Sequence, residues 1–254
     1  MTALLALAAA AASEAGLVRQ DNEDAVYAGR WLFAVADGLG GHAAGEVASA
    51  AVIQALRPHD AEVPQGALLE VLGRAVTEAN REVARRAAGD PARRGMGTTL
   101  TAMLFPGDRA ALAHIGDTRA FRLRDGRLRQ ITEDHTIGNL VADAGFLAPV
   151  LARYLDGRPD RSADLGVRDL RAGDRYLLCS DGLSPVVDDR ALRDVLTSAA
   201  APAGAVRELA ALAEDAGGPD NVTVVVIDVR PAEQGLAPAG PVTLGAAAAG
   251  AVVR

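Results

Sequence analysis

Four aspartates stand where apolar runs begin or end. Asp37 follows Trp31–Ala36, Asp117 follows Ala110–Ile115 after Gly116, Asp181 follows Leu177-Leu178-Cys179-Ser180, and Asp220 precedes Val222–Ile227. Short apolar runs of this kind read as buried strands, so each of four strands carries a carboxylate at one end. Three are at exits and one is at an entrance. Between antiparallel neighbours an exit lies beside an entrance, which lets all four acids gather at one sheet edge. Gathered carboxylates repel unless neutralised. Hard divalent cations that prefer oxygen ligands, Mg²⁺ or Mn²⁺, do this most simply. Glycine follows the acid in Asp37-Gly38 and Asp181-Gly182, where the backbone can turn sharply and leave its carbonyl within reach of an ion. One Asp-Gly after a strand is ordinarily a turn; the coincidence of four such acids carries the chemical reading.

Arg19, with Asn22-Glu23-Asp24 just after it, is the next constellation. An arginine before acids is commonly a surface ion pair. Beside a metal cluster its planar fork suits two phosphate oxygens, and Glu23 suits a metal-bound water. The glycine-rich stretch from Asp37 to Glu46 joins a strand to a helix. It lacks both Gly-Lys-Ser/Thr and Gly-x-Gly-x-x-Gly spacing, so it is not read as a nucleotide loop. His42 within it is a candidate general acid, and equally a residue that only shapes the loop.

The elements that must position these groups are visible in outline. Strands are expected at Trp31–Ala36, Thr98–Phe105, Ala110–Ile115, Ala120–Arg124, Arg175–Ser180 and Val222–Val229. Asp125-Gly126 predicts a two-residue hairpin turn. Helical spacing marks Ala44–Leu56, ended by Pro58, and a longer helix over Leu68–Ala87. Two further helices are expected between Ala191 and Ala216, broken near Pro202. Regular strand–helix alternation is missing, which points to antiparallel sheets with segregated helices.

Composition narrows the class. The chain has 254 residues, a net charge of −7 and 3% aromatic residues, which argues against a nucleic-acid binder. Its single cysteine, Cys179, excludes an intrachain disulfide and a cysteine-built zinc site. The alanine-rich start has the apolarity of a signal peptide but no basic residue before Arg19, so a first strand or short helix is preferred. The apolar end, Leu236–Val253, is interrupted by prolines and glycines and is read as a mobile tail, not a spanning helix. The expected organisation is one catalytic domain over 1–230 and a disordered Ala/Gly/Pro-rich tail over 231–254. A cytoplasmic monomer without stable membrane insertion is the accompanying expectation.

Six segments, in order, resemble the bacterial branch of the metal-dependent PP2C-type (PPM) protein serine/threonine phosphatases. They are Gly16–Asp24, Ala36–His42, Gly95–Leu100, His114–Arg119, Leu178–Leu183 and Gly218–Thr223. The resemblance implies an α+β fold, a four-layer α-β-β-α sandwich of two antiparallel sheets flanked by helix pairs. It implies that Asp37 bridges two Mn²⁺ or Mg²⁺ ions, that the Gly38 carbonyl completes one site, and that Asp181 and Asp220 hold the other ion. Asp117 with Asp181 would form a third site. Arg19 would bind the substrate phosphate, Glu23 would act through water, and Asp24 and Asn221 would support the site.

The implied reaction is in-line attack on a phosphoserine or phosphothreonine ester by a water activated between two ions, with His42 or a water protonating the leaving alkoxide. The substrates implied are proteins phosphorylated by bacterial serine/threonine kinases. One departure stands out: Thr132-Glu133-Asp134-His135 is present, but the flap that follows, Thr136–Gly166, is short and lacks the family's His-Pro. A phosphoprotein-binding module of the same fold and an enzyme for small phosphate esters are the alternative readings.

Overall fold

A strand that is apolar on both faces must be covered on both, and the layering shows how this is done. The computed structural model describes residues 5–39, 44–141, 145–147, 149–232 and 240–248. The first half contains β1 (Leu5–Glu14), β2 (Ala25–Ala28), β3 (Leu32–Ala36), β4 (Gly38–Leu39), α1 (Gly45–Leu56), α2 (Leu68–Ala88), β5 (Gly97–Thr98), β6 (Leu100–Leu104) and β7 (Arg109–Ile115). The second half contains β8 (Arg119–Arg124), β9 (Arg127–Gln130), α3 (Ile137–Leu140), β10 (Asp164–Asp169), β11 (Arg175–Cys179), α4 (Asp189–Ser198), α5 (Pro202–Asp215), β12 (Val222–Pro231) and β13 (Val242–Gly245).

One sheet has the order β1-β12-β11-β8-β9 and the other β10-β7-β6-β3-β2-β13, with every pairing antiparallel. Alternation along each strand divides its side chains between two cores. In β3, Leu32, Ala34 and Ala36 face α1 and α2, whereas Phe33 and Val35 enter the space between the sheets. In β12, Val224 and Val226 face α4 and α5, whereas Val225 and Ile227 face the other sheet. This is the expected α-β-β-α sandwich.

The predicted hairpin forms between β8 and β9. Asp125 and Gly126 both have positive φ, 52° and 72°, as its tight turn requires. The alanine-rich β1 is a strand although alanine disfavours one, because it pairs with β12 from Leu5↔Pro231 to Glu14↔Val222. Here tertiary pairing overrides propensity.

Besides the two-residue β4, three strands among the described residues were not expected from the pattern. β2 is short, β10 is an edge strand interleaved with charges, and β13 lies in the segment read as tail. That last expectation is corrected for residues 240–248. β13 pairs with β2, the Ala246 N–H donates to the Asp24 carbonyl at 2.7 Å, and Ala247 is buried.

Candidate metal centre

The four aspartates do meet. Asp37, Asp117, Asp181 and Asp220 line one open cleft of ≈ 790 Å³ together with Arg19, Glu23 and Gly38. Each is held there by backbone contacts that the motif residues provide. Asp37 leaves β3 with its N–H donating to Thr99 Oγ1 (3.0 Å), while its carbonyl accepts from Thr98 Oγ1 (2.8 Å) and the Thr99 N–H (2.9 Å). The Gly38–Leu39 backbone then pairs with Gly97–Thr98. The Gly97-Thr98-Thr99 motif is therefore a clamp on the Asp37 turn.

Gly38 must be glycine because its backbone lies against that of Gly45 at the start of α1; an added Cβ would fall inside the Gly45 carbonyl and meet the Glu23 carbonyl at 2.7 Å. Gly45 in turn leaves room for the Glu23 carboxylate. The Glu23 carbonyl accepts from Ser49 Oγ at 2.5 Å.

The loop that carries Arg19 is pinned from the opposite side. The N–H of Leu17 donates to the Gly218 carbonyl (2.9 Å). Asn221 Nδ2 donates to the carbonyls of Ala15 (3.0 Å) and Asp21 (2.8 Å), and its Oδ1 accepts the Glu23 N–H (2.9 Å). Arg19 Nη2 then reaches Asp220 Oδ2 at 2.7 Å. Asp24 lies behind the cleft, 1% exposed, and accepts from Ser180 Oγ at 2.7 Å. The same Ser180 Oγ accepts the Thr223 N–H at 2.9 Å, which ties β11 to β12 directly behind Asp181 and Asp220.

The electrostatics are those of a site built for cations. Burial raises the Asp37 carboxyl well above the usual range, and Asp24, Asp181 and Asp117 raise it further. Asp181 is raised by burial and by Asp220. Burial, then Asp181, pushes Asp117 up to about 7, and burial pushes Asp24 to about 7. One Asp24 oxygen, Oδ1, is buried without a partner.

Among the described residues no three His, Cys, Asp or Glu side chains alone enclose an ion. The all-oxygen donor set of the described residues fits hard divalent ions and not zinc.

Of the predicted residues, Arg19, Glu23, Asp37, Gly38, Asp117, Asp181 and Asp220 are brought together; His42 lies outside the described residues. Sequence reasoning missed the far wall of the cleft, formed by Pro149, Val150, Leu151 and Tyr154. It also missed the Ser180–Asp24 bond. Neither carries a periodic signal, because the wall comes from an irregular loop.

Two carboxylate-bearing sheets meet at a cleft with an arginine at its mouth, an arrangement of oxygen donors and a guanidinium suited to divalent cations and a phosphate. Residues 10–215 match the protein phosphatase 2C family, and the chain belongs to it. The serine/threonine protein phosphatase PstP of Mycobacterium tuberculosis is 49% identical over 235 residues, covering 89% of this chain and 45% of that protein. The chain thus spans about half the length of that relative. Protein phosphatase PhpP of Streptococcus pneumoniae is 31% identical over 235 residues, covering 86% of this chain and 96% of that one. The crystal structure of the PstP catalytic domain in complex with two manganese ions superposes with a TM-score of 0.83 at 50% identity, covering 89% of this chain and 99% of that one. The Mycobacterium smegmatis PPM phosphatase MsPP, in complex with cacodylate, gives 0.75 at 37% identity over 87% and 97% of the two chains. No described helix is long and apolar enough to cross a membrane.

Proposed function

We propose that this chain hydrolyses phosphoserine and phosphothreonine on proteins phosphorylated by serine/threonine kinases, through a catalytic domain over 1–230 that uses Mn²⁺ or Mg²⁺. The observation that supports this is the convergence of Asp37, Asp117, Asp181, Asp220 and Arg19 on one open cleft. Asp37 and the Gly38 carbonyl would hold one ion, and Asp37, Asp181 and Asp220 the second. Asp117 with Asp181 would hold a third, and Glu23 would act through water. When bound, the cations supply a water of lowered pKa and neutralise phosphoryl charge.

The remaining work falls to the chain itself. Arg19 is on a pinned loop yet its side chain is exposed, so its fork can take two phosphoryl oxygens and orient the ester. A phosphate would replace Asp220 as the partner of Arg19, which would leave the Asp220 carboxylate able to hold a cation. The openness of the cleft admits a polypeptide, and Leu151 and Tyr154 offer apolar contact beside the phosphorylated residue. His42 remains the proposed general acid. Cys179 is excluded as a nucleophile, since it is fully buried and burial pushes its thiol up to about 12. Cytoplasmic action as a monomer completes the proposal.

The experiment is phosphate release from a phosphothreonine peptide with Mn²⁺, with Mg²⁺ and with chelator. Release that needs metal and stops with chelator is the expected result. Folded protein that binds the peptide and releases nothing would make it a phosphoprotein-binding module. Turnover of free phosphoserine but not of peptide would make it a small-ester enzyme.

A further inference from the structure

Like charges directly opposite on neighbouring strands destabilise a sheet, and the β8–β9 hairpin places them so twice. Arg122 faces Arg129, and Arg124 faces Arg127. The second rung is neutralised: Asp174 accepts from Arg124 Nε at 2.5 Å and from Nη2 at 2.6 Å. The first has no acid. Among the described residues neither Arg122 nor Arg129 forms an ion pair, and Arg122 Nε is buried with no hydrogen-bond partner. A buried charged donor left unpaired is costly and is rare in folded proteins.

What replaces the acid is space. A cleft of ≈ 550 Å³ opens at the flank of the sandwich, between β9 at the edge of one sheet and β10 at the edge of the other. Arg122, Arg129 and Gln130 line it from β8 and β9, and Leu112, His114 and Arg168 line it from β7 and β10 of the other sheet. Among the described residues Arg168 makes only main-chain bonds, to the carbonyls of Val167 (3.0 Å) and, across the flank, Ile131 (3.2 Å). An added Cβ at Gly166 would meet its Nη1 at 2.7 Å, so the glycine makes room for the guanidinium.

Two carboxylates also reach this wall. Asp164 is held by Arg153 (2.8 Å) and His135 (3.0 Å). Glu133 is exposed and bonds none of the three arginines. The cleft is therefore positive in a chain whose net charge is −7. It shares no lining residue with the cleft that holds Asp37 and Arg19.

We propose that this flank cleft binds a phosphate-type oxyanion, free or as a monoester, through Arg122, Arg129 and Arg168. Guanidinium forks match tetrahedral oxyanions in geometry and charge, and the volume falls in the range of small-ligand sites. A bound anion neutralises the Arg122–Arg129 rung, gives the buried Nε an acceptor, and joins the free edges of the two sheets. The site is independent of the proposed catalysis.

The test is a site-resolved ¹H–¹⁵N NMR titration of the full chain with Mg²⁺. One arm adds inorganic phosphate. The other adds a peptide whose phosphoserine ester oxygen is replaced by CH₂, so that it is not hydrolysed. The expected result is a saturable shift of the Arg122, Arg129, Gln130 and Gly166 amides, separate from those of Arg19 and Asp181. Arg129→Gln, at an exposed position, weakens that binding at least ~tenfold and leaves peptide turnover at low phosphate unchanged. A response to phosphate alone assigns a free anion; a response to the peptide assigns a second phosphorylated residue. No saturable flank shift in either arm overturns the proposal, as does binding that survives in Arg122→Gln and in Arg129→Gln.

Discussion

Arg19 and Asp220, 201 positions apart, form a 2.7 Å ion pair across the mouth of the acidic cleft. Each supplies the opposite charge that a phosphate and a cation would bring. Removing the arginine therefore has two opposed consequences. Arg19→Ala raises KM for a phosphopeptide and lowers kcat/KM by about ten- to a hundredfold, the range of a lost charge-assisted hydrogen bond. The same variant reaches half-maximal activity at a lower Mn²⁺ concentration, because Asp220 is freed. Metal titrations of both proteins check this; an unchanged or higher metal requirement would refute the exchange of partners.

Burial and neighbouring carboxylates raise both Asp37 and Asp181, so their ionised forms together are disfavoured without a cation. Asp37→Asn and Asp181→Asn are each expected to lower metal-dependent phosphate release by roughly 10²-fold or more. In chelator their melting temperatures should be no lower than that of the parent chain, since repulsion is relieved. Near-normal turnover in either variant would remove the metal assignment.

His135 links the flap to the third acid. Its Nδ1 accepts the Gly116 N–H at 3.1 Å, and its own N–H donates to the Gly116 carbonyl at 2.7 Å, one residue before Asp117. His135→Ala leaves a buried N–H unpaired, at about 1–3 kcal/mol. The expected outcome is a higher Mn²⁺ requirement with little change in kcat at saturating metal. A lower kcat at an unchanged metal requirement would argue against this positioning.

His114 sets a pH dependence of stability. It is 2% exposed, its Nδ1 accepts from Thr101 Oγ1 at 2.9 Å, and its Nε2–H donates to the Glu133 carbonyl at 2.9 Å. Burial, and then the neighbouring His135, lowers it from 6.5 to about 4. The unfolded chain thus binds a proton that the folded one refuses between those values. The contribution of His114 is complete above about pH 6.5 and is lost as pH falls toward 4, up to about 3 kcal/mol. Denaturant titrations of the parent chain and His114→Gln across this range should converge as pH falls; parallel curves would contradict it.

Arg175 and Asp228 test the frame away from the cleft. Arg175 Nε and Nη2 bond Asp228 at 2.5 and 3.0 Å, while Nη1 donates to the carbonyls of Leu196 and Ala199 beneath α4. Asp228→Ala strands a buried guanidinium and should cost about 3–5 kcal/mol. Chemical denaturation measures this directly, with turnover per folded molecule unchanged.

Much of the architecture was legible because it is written in local pattern. The apolar runs at Trp31–Ala36 and Val222–Val229, the period of Leu68–Ala87 and the Asp125-Gly126 turn each rest on neighbours in sequence. The placement of acids at strand ends was legible for the same reason, and so was the set of six motifs. β10 and β13 were not, since an edge strand makes few demands on composition and is defined by the partner it finds.

The sequence by itself determined which residues carry charge at the strand ends and that their donors are oxygens. The tertiary structure alone decided that Asp24 lies buried against Ser180, that Arg19 meets Asp220, and that Arg122 and Arg129 face an open flank with no ion-pair partner among the described residues. Those relationships depend on how two sheets stack and where their edges end. They are set by long-range packing and desolvation, which no spacing along the chain encodes.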